Sequence, residues 1–185
     1  MTEKVSVFMI LPIVFLIAPI TYMDFSFGNA LLFGVPLVLY ILGCLYLDLT
    51  GKSSRSSKVR GYAAYFAFLL SSLYLLAPSI LVFNKARWFF IILWILIAAV
   101  SFFKRDVISD SITHGPKANK TFKLLFWGSS VVVIILGGGG YYPTSSRLAE
   151  NLGEYREAYF SAISFFFSVW ILTFTQSSTS KFTKF

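Results

Sequence analysis

The sequence predicts an all-α integral membrane protein of six transmembrane helices with both termini in the cytoplasm. Three observations carry that expectation. Long apolar runs follow one another with almost no charge inside them. Of the 185 residues 57% are hydrophobic and only 13% charged, with a mean hydropathy of +0.75, whereas a soluble domain carries about 25% charged residues. The basic residues between the runs are distributed unevenly, falling mostly in alternate loops and so on one side of the membrane.

A helix needs about 20 apolar residues to cross the hydrocarbon core. Six stretches approach that length: Val5–Tyr22, Ala30–Asp48, Gly61–Phe83, Trp88–Phe103, Phe122–Tyr142 and Tyr155–Thr175. The first follows Lys4 but contains Pro12 and Pro19 and exits through TYMDFSFGN without a small-x-small cleavage site, so it is expected to be retained. Phenylalanine, with 21 residues, is the type that fits best; it partitions into lipid and leaves no polar atom to satisfy.

With six spans, twelve basic residues share one side: Lys4, Lys52, Arg55, Lys58, Arg60, Lys104, Arg105, Lys117, Lys120, Lys123, Lys181 and Lys184. Four lie on the other: Lys85, Arg87, Arg147 and Arg156. Positive charge marks the cytoplasmic side. The net charge of +8 is therefore read as membrane orientation, with attraction to anionic lipid as a second role, and nucleic acid is set aside. The stretch TGKSSRSSKVR is a small-polar, basic linker: a topology signal, with phosphorylation or lipid binding as alternatives. Trp88 is expected at the outer end of span four, Trp127 and Trp170 toward the inner ends of spans five and six, and Trp94 deeper, between helices.

Chemistry has few places to sit. Cys44 lies inside an apolar run with no second cysteine, which excludes an intramolecular disulfide and a cysteine metal site. No Lys, Arg, Glu or His falls at mid-depth; Asp48 stands at the inner end of span two and Asp24 in the first outer turn. That argues against a proton pump, a haem protein or a retinal protein, since those need intramembrane ionisable groups. His114 is the single histidine, in KRDVISDSITHGPK. On a helix, Asp106, Asp110 and His114 fall at i, i+4 and i+8 and share a face. Such a set can bind a metal ion or act as an acid/base pair, or it is a solvated interfacial helix ended by Gly115 and Pro116. No cofactor is expected. Ser161, Ser164 and Ser168 line one stripe of span six, either for close helix packing or for a polar pathway. No serine stands in a G-x-S-x-G elbow.

The stretch IILGGGGYYP places Gly137, Gly138, Gly139 and Gly140 before span five has cleared the core. Either the helix breaks there with carbonyls facing a polar cavity, or it frays in the outer interface with Tyr141 and Tyr142 as belt residues. A hinge is expected, followed by an outer amphipathic helix capped by Ser145 or Ser146 that runs into span six, with Leu148, Leu152, Tyr155 and Tyr159 on one face.

The first hairpin carries Pro12, Pro19 and Tyr22 in its first helix, and Leu32, Phe33, Gly34 and Pro36 at the entry to its second. In these positions it resembles the small two-span membrane proteins that accompany sodium–solute symporters. The likeness covers about a fifth of the chain and implies no catalytic residues. The remaining four spans depart from that pattern. Two functions remain in view: a transport-related protein of the inner cell membrane, either a small carrier or an accessory subunit, and a non-transporting interaction protein such as an immunity or assembly factor. The lipid bilayer is the first partner expected; a second membrane protein or another copy is the further one. An enzyme is third, resting on Asp106, Asp110 and His114.

Overall fold

The computed structural model describes residues 8–22, 27–52, 56–113, 116–136 and 152–182. All regular structure among them is helical. The helices are α1 (Ile10–Phe15), α2 (Ile17–Tyr22), α3 (Phe27–Leu49), α4 (Ser57–Val82), α5 (Arg87–Phe103), α6 (Arg105–Thr113), α7 (Lys120–Leu136) and α8 (Arg156–Phe182). Short 3₁₀ turns, Asn84–Ala86 and Gly153–Tyr155, lead into α5 and α8.

Four helical segments are long and apolar enough to cross a membrane: Leu31–Leu49, Ser57–Val82, Asn84–Phe103 and Gly153–Gln176. They coincide with expected spans two, three, four and six. The stretch expected as span five holds α7, a helix of 17 residues that reaches Leu136, the last described residue before 152. The expected first span is two short helices with a break at Leu16. The cause is Pro19, which has no N–H to offer the carbonyl four residues back and crowds it with its ring. The axis nevertheless continues, because Leu16 N–H donates to Pro12 O at 3.0 Å and Ile20 N–H to Leu16 O at 3.4 Å.

The core lies along α4. It packs against α8, α1, α2, α5 and α3, while α8 also touches α5, α6 and α7. Over their apolar windows α4 is 56% buried, against 11% for α3 and 6% for α5. Leu32, Leu39, Leu42, Trp88, Phe89, Ile92 and Leu96 are among the large side chains left exposed on those two helices. In water a contiguous apolar surface of that kind drives association; in lipid it is the solvated face.

The end of α3 is set by Gly51 at φ 67°, which follows the last helical turn in the left-handed region that side chains disfavour. Gly51 N–H returns to Asp48 O at 3.2 Å, and Thr50 Oγ1 donates to Tyr46 O at 2.8 Å, occupying carbonyls the helix end leaves free. At the entry to α8 the sequence reading needs correction. The outer helix expected to run into span six is interrupted at Gly153, where φ is 49°, and Tyr155, expected on its packed face, is 76% exposed. A left-handed residue cannot continue a right-handed helix. The outer positions before Leu152, including Ser145, Ser146 and Leu148, lie outside the described residues, as do Gly137, Gly138, Gly139 and Gly140.

Candidate functional site: a polar seam and two apolar cavities

α4 and α8 run antiparallel, and small polar residues fall at matching steps. Ser72 and Ser79 are seven apart on α4; Ser161 and Ser168 are seven apart on α8. Ser72 Oγ donates to Ser168 O at 2.9 Å and Ser168 Oγ donates back to Ser72 O at 2.6 Å. Ser79 Oγ donates to Ser161 O at 2.8 Å. One step further, Gln176 Nε2 donates to Tyr65 OH at 3.2 Å. A seven-residue step is two turns at 3.5 residues per turn, the spacing that keeps one seam of each helix facing the other. Serine is small enough for the backbones to approach until a hydroxyl reaches across to a carbonyl.

Trp94 on α5 closes the central rung. Its Nε1–H lies 3.1 Å from both Ser72 Oγ and Ser168 Oγ. The protons balance: each hydroxyl hydrogen goes to the opposite backbone carbonyl, and the indole hydrogen is shared by the two oxygens that have lone pairs left. Three helices are thus tied by one closed network with every donor placed, the condition under which a buried polar cluster stabilises rather than strains. Trp94 accordingly sits between helices, as its depth in the sequence predicts. At the Ser79–Ser161 rung the accounting differs: Ser161 Oγ, fully buried, has no hydrogen-bond partner among the described residues.

Other hydroxyls in the spans are satisfied locally. Ser71, Ser130, Thr173 and Thr175 each donate to the carbonyl four residues back, at 2.6–2.9 Å. The geometry therefore absorbs Ser161 and Ser168 of the expected stripe into helix packing; Ser164 is half-buried.

The acid and histidine cluster is placed in part. α6 puts Asp106 and Asp110 one turn apart on one helix. His114 lies outside the described residues. Asp110 Oδ2 accepts the backbone N–H of Lys117 at 3.0 Å, and Ser111 Oγ accepts that of Asn119 at 2.9 Å while donating to Val107 O. Asn119 in turn caps α7, its Oδ1 accepting Thr121 N–H at 2.8 Å. Asp110 and Ser111 thus fold the chain from α6 into α7. No group of three or more His, Cys, Asp or Glu side chains is gathered among the described residues.

Two cavities flank the core. One, of about 470 Å³, lies between α5, α6, α7 and α8, with Ile97, Val100, Phe126, Trp170 and Thr173 in its wall. Trp170, expected as an interfacial anchor, instead stacks on Phe126, Phe167 and Phe174 at ring separations of 5.4, 5.8 and 6.3 Å; aromatic pairs of this kind contribute about 0.5–1.5 kcal/mol beyond their burial. Trp88 and Trp127 are exposed, as anchors are. The second cavity is a groove of about 560 Å³ between α3 and α4. Two tyrosines pin these helices: Tyr40 OH donates to Ala63 O at 3.1 Å, and Tyr74 OH to Phe33 O at 2.7 Å. Neither pin was legible in the sequence, which singles out neither tyrosine.

No family model, curated protein or solved structure matches this chain.

Proposed function

We propose that this chain is a six-span protein of the inner cell membrane, with cytoplasmic termini, that acts as an accessory or assembly subunit of another membrane protein. The observation that supports this most directly is the use of the serines. Ser72, Ser79, Ser161 and Ser168 are the residues a polar pathway between α4 and α8 would need, and their hydroxyls or carbonyls are engaged in holding the two helices together. The wide apolar faces of α3 and α5 offer lateral surface to a partner helix. No catalytic role is assigned, because Asp110 and Ser111 hold the turn into α7.

The second reading is a small carrier working as an oligomer. It draws on the helix broken at Leu16 between Pro12 and Pro19, since discontinuous helices form the substrate sites of many transporters.

Site-specific photo-crosslinking in cells separates them. A crosslinker is placed singly at Leu32, Leu42, Ile92, Leu96, Val131 or Ile135, all exposed. A subunit is expected to give one adduct of constant mass, confined to one of the three helices. Adducts spread evenly over all six positions, together with solute flux by the purified chain in vesicles, overturn the accessory reading in favour of the carrier.

A further inference from the structure

The groove between α3 and α4 combines two features that have no shared use inside the chain. Its walls are apolar: Pro36, Leu39, Gly43 and Leu47 from α3 face Tyr62, Phe66, Leu69 and Leu73 from α4. Its α4 wall runs from Val59 to Leu73, about 21 Å at 1.5 Å per residue. That spans the roughly 15 Å of hydrocarbon in one leaflet, half of a roughly 30 Å core, with about one helical turn left over for the headgroup level. The tyrosine pins Tyr40–Ala63 and Tyr74–Phe33 fix the spacing of the two helices, so the groove is preformed. At Gly43 a Cβ would meet nothing within 4 Å, so no packing inside the chain calls for glycine there.

The second feature is the charge at one end. Lys52, Lys58 and Arg60 lie in the sequence where α3 gives way to α4, Lys58 and Arg60 flanking the groove residue Val59 and Lys52 five residues after Leu47. Asp48 is the one carboxylate between Tyr46 and Gly61 in the sequence. Tyr46 and Tyr62 are exposed at the same end, the level at which amphipathic rings meet lipid headgroups, and Lys52 Nζ lies 5.5 Å from the centre of the Tyr46 ring. A slot one leaflet deep, apolar throughout and cationic at its mouth, is complementary to a molecule with a hydrocarbon tail and an anionic head.

We propose that the α3–α4 groove is a binding site for an anionic phospholipid, its acyl chain along Gly43 and Phe66 and its phosphate against Lys52, Lys58 and Arg60. The site orders one lipid of the annulus and fills the space between the pinned helices. Basic pockets between spans attract anionic headgroups in this way, and each charge near the surface adds to the preference.

The test uses the full chain in nanodiscs of equal phosphatidylglycerol and phosphatidylcholine with identical acyl chains, released for native mass spectrometry. The expected result is one retained phosphatidylglycerol per chain, preferred over phosphatidylcholine by at least tenfold. Lys52→Gln, Lys58→Gln and Arg60→Gln are each expected to lower that preference about fivefold. Gly43→Leu, which fills the groove where space is open, is expected to abolish retention while the helical circular dichroism is unchanged. A control triple, Lys117→Gln, Lys120→Gln and Lys123→Gln, removes equal charge elsewhere and is expected to leave the preference intact. Equal loss in the control means a diffuse surface potential and overturns the site. So does retention that survives Gly43→Leu, or a dimer that Gly43→Leu dissociates, which would place a second copy in the groove. The inference rests on the chain being embedded in a bilayer, and release from membranes by carbonate without detergent would refute that premise separately.

Discussion

Ser72 and Ser168 each donate a hydroxyl proton to the other's backbone carbonyl, across two helices whose sequence positions are 96 apart. The pair is a reciprocal clamp: neither side chain has its proton to spare, and the indole of Trp94 takes the lone pairs that remain. Such a clamp works only when both residues are small, because a longer side chain at either position would hold the helices apart.

Removing the clamp is expected to be measurable but modest. Interhelical hydrogen bonds in membranes contribute about 0.6 kcal/mol on average and about 1.7 at most. Ser72→Ala and Ser168→Ala are each expected to cost about 1 kcal/mol in detergent unfolding, with a coupling energy in the double-mutant cycle of about 0.6–1.7 kcal/mol. Ser168→Leu should cost more than either alanine, about 2–3 kcal/mol, by overpacking a site with no exposed surface. Equal effects of Ala and Leu at Ser168 would deny the close approach.

Trp94→Phe tests the third member. Phenylalanine keeps most of the ring's area but loses the N–H that both hydroxyl oxygens accept. Those oxygens retain their own donations, so no proton is orphaned, and a loss of only about 0.5–1 kcal/mol is expected. If Trp94→Phe costs as much as Trp94→Ala, which opens a cavity as well, the hydrogen bond and not the ring holds α5 in place.

The spans were legible because hydrocarbon thickness leaves few choices for a long charge-free run, and α3, α4, α5 and α8 fall close to where the sequence puts them. The clamp was half legible. Ser161, Ser164 and Ser168 read as a stripe, yet composition alone did not separate a packing face from a polar pathway. The missing signal was on the partner: Ser72 and Ser79 repeat the seven-residue step of Ser161 and Ser168, and a shared step on two spans of opposite direction implies a seam. Asp106, Asp110 and His114 were ambiguous for a related reason. Helical spacing put three chemically suitable residues on one face, but a carboxylate near a helix end also serves as an acceptor for the following turn, and Asp110 does that for Lys117. Pattern cannot weigh those uses, since the second depends on where the chain goes next. The break at Gly153 was hidden for a similar reason: a left-handed φ is set by the turn geometry, and the flanking Leu and Glu residues keep the helical period regardless.

Asp110→Ala is expected to speed hydrogen exchange at the Lys117 amide, because its acceptor is removed. Ser111→Ala should speed exchange at Asn119 and cost more, about 1–2 kcal/mol, since Ser111 is buried and serves two bonds. Asp106→Ala should change neither amide. Zinc binding by calorimetry that disappears with both Asp106→Ala and His114→Ala would instead restore a metal site to α6.

Topology can be read with single cysteines. In a Cys44→Ala background, Ser57→Cys and Glu154→Cys place thiols at exposed positions at the two ends of the bundle. Cytoplasmic termini predict that an impermeant maleimide added to intact cells labels position 154 and spares position 57. The reverse labelling would invert the whole assignment, because the basic residues that orient the chain lie mostly on the side of Ser57. Native Cys44, buried beside the α3–α4 contact, should resist the same reagent in folded protein.

The glycines divide by backbone rather than by position in the membrane, and substitution should reveal the division. Gly51 and Gly153 hold φ of 67° and 49°, where an alanine Cβ crowds its own carbonyl. Gly51→Ala and Gly153→Ala are each expected to destabilise by about 1–2 kcal/mol even though nothing lies within 4 Å of the added carbon. Gly34 and Gly128 also face open space, but they sit inside α3 and α7 with helical backbone. There alanine removes the entropic weakness of glycine, and Gly34→Ala and Gly128→Ala should stabilise the isolated chain by up to about 1 kcal/mol each. Melting curves of the four variants in one detergent decide the matter. The expected order is Gly34→Ala and Gly128→Ala above the unmodified chain, and Gly51→Ala and Gly153→Ala below it. Should Gly34→Ala stabilise the purified chain yet weaken a cross-linked complex in cells, the open face of α3 at that glycine is where the partner lies, since only a neighbour outside the chain could object to the extra methyl.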